Sequence, residues 1–221
     1  MAALKERLLA SLRKAITALE DEGIPFAVVG GLAVGVRAEP RITRDIDLVV
    51  PVADDAEGEA KLLVLQRRGF AIESVFERKG GRLSTVRTRH PVAPEVLVDF
   101  LLSNCLIEAE IVEQAGREVV AHGAECLVAQ SWHLLAMKVL ANRKKDQADI
   151  QLLIEGGTKA TVRKAREALD LMQKRGAAPG RNLEAELARH IREVGTSKGE
   201  RRVGGRRLKA LIARNPRWSR R

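Results

Sequence analysis

Tyrosine is absent from this 221-residue chain, and phenylalanine and tryptophan together make up only 3% of it. A core drawn from this composition must be assembled from Leu, Val, Ala and Ile, and the 45% apolar share supplies enough of them for one sizeable core. No apolar run approaches the roughly 20 residues that a membrane-spanning helix needs. The opening stretch, MAALKERLLASLRKAITALEDEG, carries neither the apolar segment nor the cleavage site of a secretory leader. Its apolar positions Leu4, Leu8, Leu9, Leu12, Ile16 and Leu19 have helical spacing instead. A cytoplasmic location and no membrane partner are therefore expected. Cysteine is nearly absent too. Cys105 and Cys126 are too far apart for a C-x-x-C pair and have no histidine cluster beside them, so they read as small buried residues in a reducing compartment. The four histidines, at 90, 122, 133 and 190, lack ligand spacing and read as structural or surface residues. No internal repeat is present.

Negative charge is also missing from one region. The segment 197–221, SKGERRVGGRRLKALIARNPRWSRR, holds ten Lys or Arg against one Glu, which is nine of the ten net positive charges on the chain. A near-neutral body thus carries a basic tail. Such a tail is either a solvated terminus or an electrostatic footprint for a polyanion such as RNA. Trp218 within it is a candidate base-stacking residue, whereas Trp132 opens a helix and reads as core.

The order of elements is α/β at the front and helical at the back. After the first helix come a short buried strand FAVVG (26–30), a Gly30–Gly31 turn leading into a short helix, and a second strand DIDLVV (45–50). A helix with an acidic first turn follows, then two strands joined at Gly80–Gly81, then the strand PEVLVDFLL (94–102). The segment to about Gly123 is mixed, and ECLVAQ is a strand or a loop. From Ser131 helices dominate, with Thr158 or Thr161 as a candidate cap. The expected division is 1–125 as an α/β core, 126–196 as a helical region completing a cleft, and 197–221 as the basic tail.

Three carboxylates stand out because they interrupt apolar strands. Side chains alternate along a strand, so Asp45 and Asp47 point the same way and Ile46 points the other. Two parallel carboxylates repel, and a hard divalent cation such as Mg²⁺ reverses that balance. Asp99 stands alone among Val96, Leu97, Val98, Phe100, Leu101 and Leu102. If its strand lies beside DIDLVV, a third carboxylate joins the site, and three on adjacent strands suit metal-assisted phosphoryl displacement. Gly30 and Gly31, between a strand and a helix, offer bare backbone N–H groups to a phosphate.

These features together resemble the nucleotidyltransferase superfamily, of the DNA polymerase β-like fold. The matching stretch is VVGGLAVGVRAEPRITRDIDLVV followed by VLVDFLL. The Arg41–Thr43–Asp45–Ile46–Asp47–Leu48 pattern and HLLAMKVLANRKKDQADIQLL resemble the AbiEii-type nucleotidyltransferase toxins, over roughly residues 24–155. The resemblance implies a small mixed sheet followed by a helical half, with the site in the cleft between them. It implies that Asp45 and Asp47 bind Mg²⁺ and the NTP, and that Asp99 completes the metal site and helps deprotonate an acceptor hydroxyl. Gly30 and Gly31 would hold the triphosphate, and Thr43 and Arg44 would orient the first aspartate. Lys138 would reach the phosphates as a point charge, with Asp146 or Asp149, and less directly Arg143, as further contacts. Gly31 stands where many members have Ser, so a hydroxyl contact to phosphate is absent.

The implied reaction moves an NMP from an NTP to a hydroxyl of RNA, such as a tRNA 3′ end, or of a protein, with a cognate antitoxin as partner. Alternatives are transfer to a small molecule of the antibiotic type and a non-catalytic RNA-binding protein on the same fold. Against the metal and phosphate roles stand ordinary ones: three structural carboxylates, a snorkelling Lys138, and Asp146 and Asp149 on a salt-bridged helix face with Arg143, Lys144 and Lys145.

Overall fold

A computed structural model describes residues 2–40, 43–78, 80–102, 106–120 and 124–196. The basic tail with Trp218, and also Arg41, Cys105 and His122, lie outside the described residues. Seven strands form one mixed sheet: β1 (Ala27–Val29), β2 (Asp45–Val49), β3 (Ala71–Glu77), β4 (Leu83–Arg89), β5 (Leu97–Leu101), β6 (Gly116–Val120) and β7 (Ala124–Val128). Their order across the sheet is β3-β4-β5-β2-β1-β7-β6. β2 runs parallel to β5 and antiparallel to β1, while β7 runs parallel to β1. Residue 125 falls inside β7, so the chain's seventh strand crosses the position where composition turns helical.

The helices are α1 (Ala2–Asp21), α2 (Gly30–Arg37), α3 (Asp55–Arg67), α4 (Glu108–Glu113), α5 (Ser131–Ala141), α6 (Gln147–Gly156), α7 (Lys159–Lys174) and α8 (183–196). α1 packs across β2, β5 and β7, burying Leu8, Leu12, Ala15, Ile16 and Leu19. Ile46, Leu48, Val98 and Phe100 are fully buried, as alternation requires for the strand face turned away from the aspartates. Phe70 packs edge-on against Phe100, so two of the few aromatics anchor the core.

Local signals explain the helix starts. Asp54 caps α3 by accepting a hydrogen bond from the Glu57 N–H, and Asp55 and Glu57 suit the positive end of its dipole. Thr158 and Thr161 act together on α7: each side chain bonds the other's backbone N–H in a reciprocal box. The glycine pair differs from expectation. Gly30 and Gly31 are not a turn ahead of the helix but its first two residues, because Gly30 makes the strand-to-helix bend itself at φ +62°. Arg37, at the other end of α2, donates to the carbonyls of Val128 and Ala129 and pairs with Glu118, tying α2 to β6 and β7. Cys126 is buried and free, and burial raises its thiol to about 11.

Candidate active site

The register between β2 and β5 builds the site. Asp47 lies directly opposite Asp99, and Asp45 opposite Leu97. Since strands are roughly 4.8 Å apart, Asp47 and Asp99 share a face at close range, with Asp45 two residues along. Both line a cavity of about 470 Å³ together with Gly30, Gly31, Thr43, Lys138, Arg143 and Asp146. Thr43 Oγ1 donates to the Asp45 carbonyl at 3.2 Å, bracing the approach to β2. Arg44 is exposed and not part of the cavity wall.

The carboxylates have unequal surroundings. Asp99, only 7% exposed, is held by Arg87 in a two-pronged pair, Nε to Oδ1 at 2.9 Å and Nη2 to Oδ2 at 2.8 Å. Asp45 and Asp47 have no such partner: among the described residues no ion pair reaches either of them. Burial raises the pKa of Asp47, and the neighbouring charge of Asp99 adds to it. Lys138 opposes the rise, Asp45 adds a smaller increment, and Arg143 opposes again. A half-buried carboxylate pressed by two others is a place where a cation is electrostatically favoured.

Gly30 packs on this arrangement. A Cβ at residue 30 would overlap the Asp47 carboxylate, with Cγ at 2.5 Å. The backbone at the start of α2 therefore lies directly against the carboxylate, which no larger residue permits. α2 has no side-chain cap, so its first N–H groups remain available at the cavity wall.

The opposite wall comes from the helical half. Lys138, on α5, is 8% exposed, and its ammonium lies 2.8 Å from both Asp146 Oδ1 and Asp149 Oδ2. Asp146 and Asp149 are themselves buried. Burial works against the charge of Asp146, but hydrogen bonds from Arg143 and Lys138 outweigh it and hold its pKa low. Lys138 and Asp146 line the cavity, and Asp149 sits behind them. Arg143 and Lys145 complete a cationic rim.

No known protein-family profile matches the chain, and no curated protein matches it. Solved structures do. A crystal structure of ANT(2″)-Ia in complex with adenylyl-2″-tobramycin is similar over 74% of this chain and 95% of that one, at 16% identity and a TM-score of 0.49. An antigenic nucleotidyltransferase-like protein from Paracoccidioides brasiliensis is similar over 81% and 91%, at 20% identity and a TM-score of 0.44. The lincosamide antibiotic adenylyltransferase LnuA is similar over 64% and 93%, at 15% identity and a TM-score of 0.40. The likeness is one of chain path; no substrate and no residue role follows from it.

Sequence reasoning missed Arg87, Phe76, Thr85 and Lys145, all part of the cavity. Arg87 could have been suspected, since LSTVRTR alternates and places it with Leu83 and Thr85 on one face. Its pairing with Asp99 depends on β4 and β5 being neighbours, which the local pattern does not encode. Trp132 is partly buried against the core, with the Lys164 ammonium 4.0 Å from its ring centroid.

The acidic pair suits a hard cation. Among the described residues no group of three His, Cys, Asp or Glu side chains forms a closed metal cage. With Asp99 turned to Arg87, the available donors are the two β2 carboxylates. That set fits Mg²⁺, which is commonly held by one or two carboxylates together with substrate phosphates.

Proposed function

We propose that this chain is a Mg²⁺-dependent nucleotidyltransferase, which moves a nucleoside monophosphate from an NTP to an acceptor hydroxyl and releases pyrophosphate. The observation that carries this reading is the in-register Asp47–Asp99 pair, with Asp45 beside it, on the floor of a cavity whose far rim is cationic. Asp45 and Asp47 would hold the cation. When bound, Mg²⁺ neutralises the triphosphate and stabilises the charge that develops on the leaving pyrophosphate.

The chain's own residues do the rest. The N–H groups at Gly30 and Gly31 receive phosphate oxygens. Arg143 and Lys145 offset phosphate charge from the helical region 126–196, which completes the cleft, and Lys138 holds that wall in place. Asp99 accepts the hydrogen bond of the acceptor hydroxyl and takes its proton as the new P–O bond forms and the bond to pyrophosphate breaks.

We assign the acceptor to RNA, such as a tRNA 3′ end, with a protein hydroxyl as the other macromolecular option. The basic tail 197–221 favours a polyanion. The AbiEii-type pattern extends this to a toxin role with a cognate antitoxin. A polycationic small acceptor needs spare carboxylates in the wall. Here Asp45 and Asp47 go to the cation, Asp99 to Arg87, and Asp146 to Lys138 and Arg143. A non-catalytic RNA-binding role would leave the three strand aspartates without a purpose.

The test is label transfer. The protein is incubated with Mg²⁺, each α-³²P-labelled NTP in turn, and total cellular RNA plus protein, with Asp45→Ala in parallel. Label in RNA or in a protein band that disappears with the variant supports the reaction and identifies nucleotide and acceptor. Absence of label with every NTP, from folded protein, overturns it for these acceptors.

A further inference from the structure

The strand order gives the cavity a direction. Residues aligned across the sheet run Val29 on β1, Asp47 on β2, Asp99 on β5, Arg87 on β4 and Ser74 on β3. Gly30, the phosphate-side residue of the proposed site, follows Val29. Arg87 and β3 therefore lie on the far side of Asp99 from the glycines. Two residues along, and so on the same face, Phe76 on β3 pairs with Thr85 on β4, and both line the cavity.

Phe76 is an anomaly among the aromatics. Phe26, Phe70 and Phe100 are buried in the core, whereas Phe76 is 46% exposed on an edge strand and faces the cavity. The Arg87 guanidinium stands 5.6 Å from its ring centroid, while its donors grip Asp99. An exposed ring with a cation over one face, at the end of a cavity rimmed by Arg143 and Lys145, leaves its other face for stacking within a field suited to phosphodiesters.

We infer that Phe76 and Arg87 form the acceptor subsite, and that the acceptor is an unpaired terminal nucleotide of an RNA strand. This rests on the transfer reading above. The terminal base stacks on Phe76, and its ribose hydroxyl lies toward Asp99. The preceding phosphate meets the cationic rim. Arg87 is a positioning residue: it fixes the Asp99 carboxylate and braces the ring. The NTP occupies the other end, at Gly30 and the β2 carboxylates, so residue 76 governs acceptor affinity and not nucleotide affinity.

The experiment uses the full chain and a short fluorescein-labelled single-stranded RNA with an unpaired 3′ end, at salt high enough to suppress the tail's contribution. Phe76→Ala and Phe76→Leu should each weaken binding on the order of tenfold, because the stacking face is lost even where apolar bulk is kept. Phe76→Trp should retain binding, with its added fluorescence quenched by the RNA. In transfer assays, the alanine variant should raise KM for RNA and leave KM for NTP unchanged. Unchanged RNA binding in Phe76→Ala, a selective loss of NTP affinity, or protein labelling indifferent to residue 76 would each overturn the subsite. The two readings separate cleanly. Label reaching RNA regardless of residue 76 sinks the subsite and leaves transfer standing. Binding that depends on Phe76 without any label from wild type does the reverse.

Discussion

Gly30 and Asp47 are in direct packing contact: a methyl group at residue 30 would occupy the space of the Asp47 carboxylate. Strand β1 and the first turn of α2 are thereby set against β2 at closest approach, and the phosphate-side backbone and the cation-side carboxylate become one surface.

Gly30→Ala should therefore damage the site more than the fold. The residue sits at φ +62°, where an alanine costs about 1–2 kcal/mol, and its Cβ displaces Asp47. The expected outcome is a modest drop in melting temperature. Transfer rate should fall by about two orders of magnitude, as misplaced reacting groups do. A single-turnover assay beside a thermal melt checks it; near-wild-type transfer would contradict the packing argument.

Asp47→Asn should stabilise the metal-free protein at neutral pH while abolishing transfer. The pKa of Asp47 is raised above its usual 3.8, chiefly by burial and then by Asp99. A raised carboxylate pKa penalises the folded state above that pKa, and the penalty is relieved as pH falls through it toward about 3.8. Neutral asparagine removes the penalty at every pH. Mg²⁺ should raise the melting temperature of wild type and raise that of the variant much less. Equal Mg²⁺ shifts for both proteins would remove Asp47 from the cation site.

Lys138→Met should unfold the helical wall. It leaves Asp146 and Asp149 buried with their shared ammonium gone, and breaking such a buried group typically costs about 3–5 kcal/mol. The loss should appear in chemical denaturation before any kinetic comparison is made. A variant that keeps wild-type stability and loses only NTP affinity would assign Lys138 to phosphate contact alone.

Acid should weaken the fold through His133. Its side chain is buried in α5, and burial lowers its pKa to about 4. Because the folded value lies below the unfolded 6.5, its contribution is fully present above pH 6.5 and is lost as pH falls toward 4. The full effect is about 3 kcal/mol. Denaturation midpoints at pH 7.5 and pH 5, with His133→Leu as the comparison, check it: the variant's pH dependence should be flatter. Parallel slopes for the two proteins would exclude His133 as the source.

Much of the fold is legible because its signals are local. The amphipathic spacing of α1, the acidic first turn of α3, the cap of α7, and the Gly80–Gly81 link between β3 and β4 each lie within a few residues. The face shared by Asp45 and Asp47 follows from alternation alone. Other features were less visible. ECLVAQ reads equally as strand or loop, because its parallel pairing with β1 is distant in sequence. The glycine pair read as a turn because the bend at a single residue has no spacing signature.

By itself, the sequence determined the alternation that turns Asp45 and Asp47 to one side and Ile46 to the other. It also fixed the isolation of Asp99 in an apolar strand and the concentration of positive charge after residue 196. These are short-range facts, set by backbone periodicity and composition. The tertiary structure alone decided that β5 lies parallel to β2 with Asp99 opposite Asp47, and that Arg87 grips Asp99 from β4. It also decided that Lys138 is shared by two buried aspartates and that Phe76 faces the cavity. Those outcomes depend on which strands become neighbours and in what register. That choice is made by burying one continuous core, where a shift of one residue would turn every aspartate into the apolar layer.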